Sequence, residues 1–376
     1  MKIPIPITVL TGFLGSGKST LLKALLRRPE MAGTAVVVNE FGEVGLDDAL
    51  IEHAQEETIL LPSGCVCCAT RGDLLQALSR LYAQMQSGEI PELNRIVLET
   101  SGLADPAPIA HTLMTEDEMF RLYALDGIVT TVDAELGLAQ IDAHFEPAKQ
   151  IAMADRIVLT KTDRTDAPAV AAITARIREL NPTAEIRSVV MGDTTPELVT
   201  GLGAFEPVAA KAHAEGWLAA ERYDEAHAGH HDHHHHGHDH DCAGAGCEHP
   251  AHHHADHDHT HGIQSFCLTF DDALDGQKLS FAVELLRMTH GDKLLRVKAI
   301  AAISGEPLPF VIHGVQHVFY PPTTLDAWPK DPEGQEDRRS RFVFITKDLD
   351  EAAVRKVFEP LLASGPAPAE AFTTGD

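Results

Sequence analysis

From Ile5 to about Val190 the chain alternates short apolar runs with stretches whose apolar residues return every three or four positions. Compact apolar, β-branched runs bounded by turn formers predict strands at Ile5–Thr11, Ala35–Asn39, Thr58–Leu61, Arg95–Thr100, Gly127–Asp133, Arg156–Thr160 and Ile186–Val190. The longer period predicts helices at Lys18–Leu26, Asp73–Met85, Ala148–Ala154 and Ala167–Leu180. Such β-α alternation builds an α/β domain whose mostly parallel sheet is covered on both faces. The pattern is lost between Val208 and Gly262, where Ala, Gly, Asp and His dominate, as in a flexible linker. A second patterned region predicts strands near Ser265–Phe270, Leu294–Ile300, Phe310–Ile312, Gln316–Tyr320 and Arg341–Ile345, with helices at Leu279–Met288 and Asp350–Leu362. Its less regular interleaving implies a smaller α+β domain. The chain therefore divides at 1–207, 208–262 and 263–364, with a frayed tail over 365–376.

Composition narrows the function. At 376 residues there is room for two domains, or three at most, and 44% apolar with 23% charged residues is ordinary for a globular chain. The formal charge of -26 argues against wholesale binding to nucleic acid or to an anionic membrane. No run approaches the roughly 18–20 apolar residues that would cross a bilayer. Met1–Leu10 leads into a glycine-rich turn without a small-residue cleavage site, so a cytoplasmic address is expected. Three of the six cysteines crowd into four positions, a spacing for metal or thiol chemistry rather than a disulfide framework.

The segment Gly12-Phe13-Leu14-Gly15-Ser16-Gly17-Lys18-Ser19 fits G-x-x-x-x-G-K-S/T and lies between a predicted strand and a predicted helix, the context a phosphate-binding loop requires. Its glycines let successive N–H groups turn toward phosphates, and the helix N-terminus adds partial positive charge. Gly12, Gly15, Ser16, Gly17 and Thr20 are thus candidate nucleotide contacts. Lys18 is expected to reach the β- and γ-phosphates, and Ser19 to bind Mg²⁺. Farther on, Thr160-Lys161-Thr162-Asp163 ends a predicted strand. The Asp163 carboxylate can accept from both N1–H and the 2-amino group of guanine, a donor pair adenine lacks, so Lys161 and Asp163 favour GTP. The usual Asn-Lys-x-Asp pattern has Asn where this chain has Thr160. Glu99-Thr100-Ser101-Gly102 closes another strand at the carboxyl edge, where Glu99 can order Mg²⁺ or its water and Gly102 can offer its N–H to the γ-phosphate.

Gly64-Cys65-Val66-Cys67-Cys68 forms a second constellation. Thiolates bind Zn²⁺ at about 2.3 Å in sets of four. Cys65, Cys67 and Cys68 supply two or three ligands at most, so the set is completed from elsewhere or left open. Glu40 and Glu43, in Asn39-Glu40-Phe41-Gly42-Glu43-Val44-Gly45, are candidates for completing it. That segment stands where P-loop GTPases carry a nucleotide-sensitive switch, which also makes Glu40 a candidate catalytic group beside Lys18 and Glu99.

In that order and spacing, GFLGSGKST, NEFGEVGLD, GCVCC, ETSGLADPAPI, TVDA and TKTD resemble the CobW-like metallochaperone GTPases of the SIMIBI class of P-loop proteins. HGVQHVFYPP and RSRFVFITKDLDEAAV resemble that family's C-terminal domain. The resemblance covers Ile5 to about Leu362 apart from the His-rich insertion. It implies GTP hydrolysis coupled to metal delivery, with Cys65, Cys67 and Cys68 at the metal site and Glu99 in the Walker-B-like position. It further implies Mg²⁺ with the nucleotide, a client metalloprotein, and a homodimer as in many SIMIBI proteins. LADPAPI is closer to the zinc-associated branch than to the branch serving cobalamin synthesis, where the metal would be Co²⁺.

Of the 23 histidines, sixteen fall between His227 and His261. The densest run holds His230, His231, His233, His234, His235, His236, His238 and His240, and Cys242 and Cys247 follow. With a reference pKa of about 6.5, most of these rings offer lone pairs to Zn²⁺, Ni²⁺, Co²⁺ or Cu²⁺ at pH 7. Without a fixed scaffold, affinity is moderate and exchange quick, as suits a metal-collecting arm. An entropic tether is the other reading. Cys267 is expected in the core; His313 and His317, flanking Gly314 near a predicted hairpin, could reach a partner or metal, but structural roles are the expected ones. The expected function is a GTP-dependent metal chaperone, with a zinc-storing protein of slow GTPase activity and a small-molecule kinase as the rivals.

Overall fold

The computed structural model describes residues 4–39, 59–60, 71–190, 193–202, 260–330 and 333–362. Seven strands form the first sheet: β1 (Ile5–Gly12), β2 (Thr34–Asn39), β3 (Ile59–Leu60), β4 (Arg95–Thr100), β5 (Tyr123–Asp133), β6 (Arg156–Thr160) and β7 (Glu185–Val189). Every pairing is parallel, in the order β3-β2-β4-β1-β5-β6-β7. Both faces are apolar because both are covered. Val9, Ile96, Leu98, Ile128 and Ile157 point into one core, while Leu10, Val97, Val129 and Val158 meet Leu21, Leu22 and Leu25 of α1 (Lys18–Leu25) in the other. The chain passes from β4 to β5 across β1, so the switch point of the sheet lies at the carboxyl end of β1, where α/β sheets bind ligands.

Among the described residues, six further helices belong to this layer: α2 (Arg71–Ser87), α3 (Ala107–Thr115), α4 (Asp117–Leu122), α5 (Gly137–Ala143), α6 (Phe145–Met153) and α7 (Ala167–Leu180). The pattern of the sequence does not reveal α3, α4 and α5, which have too few turns to display a period. α3 starts where the Asp105 carboxylate accepts from Ala107 N at 3.0 Å. β5 begins four residues before the expected start at Gly127, because Asp126 interrupts its apolar run. Asp126 is a bulge: the pairing with β1 steps from Ile7↔Leu125 to Thr8↔Gly127.

The second sheet contains β8 (Ile263–Phe270), β9 (Leu294–Ala301), β10 (Phe310–Val315), β11 (Val318–Phe319), β12 (Thr323–Thr324) and β13 (Ser340–Lys347). It is antiparallel, ordered β11-β10-β9-β13-β8, with β12 on β10. The strand expected over Gln316–Tyr320 is instead a turn followed by two paired residues, because Gln316 takes a left-handed φ of 53° and reverses the chain. α8 (Gly276–His290) and α9 (Glu351–Leu362) cover one face around Phe266, Phe342, Phe344 and Phe358. The other face sends Ile263, Leu295, Val315 and Ile345 into the core of the first sheet.

A charge cluster sits inside this junction. Asp155, just before β6, accepts from Ile128 N at 3.0 Å, pairs with Arg296 on β9, and lies 3.2 Å from Lys298 Nζ. Burial alone would raise the Asp155 carboxyl, but Arg296, Lys298 and the Ile128 N–H together hold it well below the usual carboxylate range. Lys298 is lowered to about 8, first by burial and then by the neighbouring Arg296, against the pull of Asp155. No described helix is long and apolar enough to cross a membrane.

Candidate functional site

β1 delivers the chain into the loop at Gly12, and α1 begins at Lys18. Gly17 starts that helix with a left-handed φ of 95°, a conformation costly for any residue with a Cβ. No described side chain caps the helix, so its first N–H groups face the loop as an anion site. Lys18 is buried and bends back along the loop, its Nζ donating to Gly12 O at 2.7 Å and Phe13 O at 3.3 Å. From neighbouring strands, Ser16 Oγ lies 2.6 Å from Thr131 Oγ1, and Thr160 Oγ1 donates to Ser16 O at 2.7 Å.

Beside the loop, Ser19 Oγ donates to Glu99 Oε1 at 2.7 Å, and Glu99 is only 5% exposed. The hydroxyl and carboxylate form a pair of hard oxygen donors at the helix start, the donor type that Mg²⁺ selects. Gly102 lies so close to the loop that a Cβ there would sit 2.7 Å from Leu14 N. Gln150 Nε2 on α6 holds this turn by donating to Gly102 O at 3.2 Å and Ala104 O at 3.0 Å. A cavity of about 370 Å³ opens here, with Gly15, Gly17, Lys18, Ser19, Glu99 and Gly102 on its walls.

A second cavity of about 220 Å³ adjoins the first, sharing Gly17, Thr20 and Lys161 with it. Asp163 and Arg164 line it on one side, Leu21 and Ala24 on another, which gives apolar walls and a carboxylate edge suited to a purine. Lys161 spans both cavities from a left-handed φ of 58°; its Nζ donates to Gly15 O at 2.8 Å and pairs with Asp133 Oδ2 at 2.6 Å. Thr160, where Asn is usual, therefore faces the loop backbone and leaves Asp163 to face the base cavity.

Gly12, Gly15, Ser16, Gly17, Lys18, Ser19, Thr20, Glu99, Gly102, Lys161 and Asp163 thus converge on one edge of the sheet. Glu40, Glu43, Cys65, Cys67, Cys68 and the histidines of the His230–His240 run lie outside the described residues. The positions leading to them are visible: β2 ends at Asn39 opposite Thr100, beside the phosphate cavity. Among the described residues no group of three or more His, Cys, Asp or Glu is arranged to hold a metal. Cys267 is half-buried in β8, and His313 is buried in β10, as expected of structural residues. Sequence reasoning passes over Thr131, Asp133 and Gln150. Asp133 stands in the quoted TVDA run and was open to discovery as a counter-charge for Lys161, whereas Gln150 carries no pattern at all.

The model of the CobW/HypB/UreG nucleotide-binding domain matches residues 6–188, and that of the cobalamin synthesis protein CobW C-terminal domain matches residues 263–362. Zinc chaperone YjiA of Escherichia coli is 31% identical over 361 residues, spanning 95% of this chain and 99% of its own length. Zinc chaperone CobW of Pseudomonas aeruginosa is 30% identical over 392 residues, spanning 96% of this chain and 92% of its own. The crystal structure of the Zn(II)-bound YjiA GTPase from E. coli aligns at a TM-score of 0.65 and 29% identity, over 96% of this chain and 100% of that one.

Proposed function

Because the chain belongs to the CobW/HypB/UreG nucleotide-binding family and carries the CobW C-terminal domain, we propose that it hydrolyses GTP and uses the cycle to deliver zinc to client metalloproteins. The observation that carries the nucleotide half is the pair of contiguous cavities, one ending on Lys18, Ser19 and Glu99, the other on Asp163. Lys18 orients the β- and γ-phosphates, the first N–H groups of α1 bind their oxygens, and Gly102 N–H senses the terminal one. Asp163 selects guanine, with Lys161 lying across the base. Ser19 and Glu99 would hold Mg²⁺, which supplies charge neutralisation at the phosphates. Glu99 also orders the attacking water, with Glu40 as a second candidate for that task.

Zinc enters this reading as cargo. The relatives named zinc chaperones and the softness of three thiols support a delivery site at Cys65, Cys67 and Cys68, joined by Glu40 and Glu43. In this reading the Glu40–Glu43 segment links the two sites, and residues 208–262 collect metal. A cobalt chaperone, or a zinc store with slow turnover, is the competing assignment. The test is GTP hydrolysis by protein lacking His227–His261, with Zn²⁺, Co²⁺ or Ni²⁺ and with ATP as competitor. GTP preference and a zinc effect that disappears on substitution of Cys67 and Cys68 support delivery. Unchanged zinc affinity in that variant refutes the thiol site, and loss of all metal binding with the arm favours storage.

A further inference from the structure

A cavity of about 760 Å³ lies away from the nucleotide, between α3 and the C-terminal domain, with Met114, Leu279, Val283, Phe310 and Phe319 among its walls. Two half-buried histidines from the two domains meet on it: His111 of α3 and His317 of the turn between β10 and β11, with ring centroids 4.6 Å apart. Their planes are tilted by 51°. Parallel rings keep their nitrogen lone pairs in two planes that never meet, whereas tilted planes cross along a line, and lone pairs from both rings can meet on that line at one ion, at the roughly 2.0–2.1 Å that imidazole takes with zinc.

The surroundings favour that use. Thr115 Oγ1 donates to His111 O at 2.9 Å and lies 3.4 Å from His111 Nδ1. With Nδ1 turned toward that hydroxyl, Nε2 is the nitrogen of His111 placed to meet an ion. His317 is fixed by its backbone: Arg287 Nη1 donates to its carbonyl at 3.3 Å, and the chain packs so closely that a Cβ on Gly291 would lie 2.6 Å from His317 Cβ. Glu306, also on the cavity wall, adds negative charge suited to a cation.

We propose that His111 and His317 form a second metal site, which takes a borderline divalent cation such as Zn²⁺, Co²⁺ or Ni²⁺ on two imidazole nitrogens with water in the remaining positions. Two protein ligands make it a weak, quickly exchanging site. Metal held there ties α3 to the second sheet, and α3 starts five residues after Gly102 at the phosphate cavity, so occupancy and nucleotide state are linked. The site goes beyond the thiol delivery reading and stands or falls without it.

Histidine footprinting of the full chain tests it, with diethyl pyrocarbonate labelling read peptide by peptide in a mass spectrometer so that His111 and His317 are resolved from the arm. Zinc is titrated until the arm histidines are protected. The expected result is that His111 and His317 become protected together, with one midpoint, while Mg²⁺ protects neither. In His317→Ala, and in the volume-conserving His317→Gln should the first variant melt early, the zinc needed to protect His111 rises about tenfold or more. Protection of only one of the two, unchanged protection of His111 in both variants, or no protection once the arm is saturated overturns the site.

Discussion

Lys18 and Glu99 at one end of the parallel sheet and Asp155 at the other are held by different kinds of partner. At the carboxyl edge, Lys18 donates to backbone carbonyls and Glu99 accepts from a serine hydroxyl. At the amino end of β6, Asp155 is enclosed by two cations from the second sheet and by a backbone N–H. Neutral partners can be given up when a charged ligand arrives, whereas a desolvated carboxylate between two cations cannot release either without stranding it. The phosphate loop thus keeps exchangeable hydrogen bonds on Lys18 and Ser19, although Lys161 beside it is tied to the buried Asp133, while the joint between the domains is built around a fully enclosed carboxylate.

The largest effect should come from breaking the joint. Asp155→Asn leaves Arg296 and Lys298 buried without their counter-charge and should cost about 3–5 kcal/mol in denaturant titration. Replacing all three together (Asp155→Leu, Arg296→Met and Lys298→Met) should recover most of that. A loss under about 1 kcal/mol in the single variant would mean that the joint is as exchangeable as the loop. At the other end, Lys18→Ala should lower stability far less than Asp155→Asn, by about 1 kcal/mol for its lost hydrogen bonds, while turnover of GTP falls by about 10²–10³-fold or more, the loss typical of one donor to a developing oxyanion. Smaller again, Asp163→Ala should weaken GTP binding by about 1.5–3 kcal/mol and erase the preference over ATP in competition. Equal preference before and after would remove Asp163 from the base site.

The last prediction is a pH dependence of the joint itself. Lys298 titrates near 8 in the fold against an ordinary value of 10.5, so between those values the unfolded chain binds more protons. Stability should therefore rise with pH through that window, by about 1 kcal/mol per unit at most, and the slope should vanish in Lys298→Met. Asp155, held below its ordinary range, contributes in the opposite window: its stabilisation is complete above that range and fades as the solution is acidified through its lowered value. Calorimetry across both windows would separate them.

This division also explains what the sequence makes legible. A ligand's phosphates demand glycines, a lysine and a hydroxyl at fixed spacing, so Gly12 to Ser19 can be read directly, as can Glu99 and Asp163. The inner strands of the first sheet are readable because burial on both faces makes them mostly apolar, whereas the edge strand β7 keeps Glu185, Arg187 and Ser188. Asp155, Arg296 and Lys298 obey no spacing, since 141 residues separate the first pair, and in the sequence each looks like ordinary surface charge. The same holds for His111 and His317, whose meeting depends on how two domains pack. Short helices such as α5 are illegible for a simpler reason: seven residues are under two turns.

Ile263, Leu295, Val315 and Ile345 belong to the second sheet in sequence but to the first sheet's core in space. Cutting the chain at the boundary between the two matched regions would thus uncover greasy surface on both fragments at once. The full chain should melt in a single step, and neither half is expected to behave well when expressed by itself.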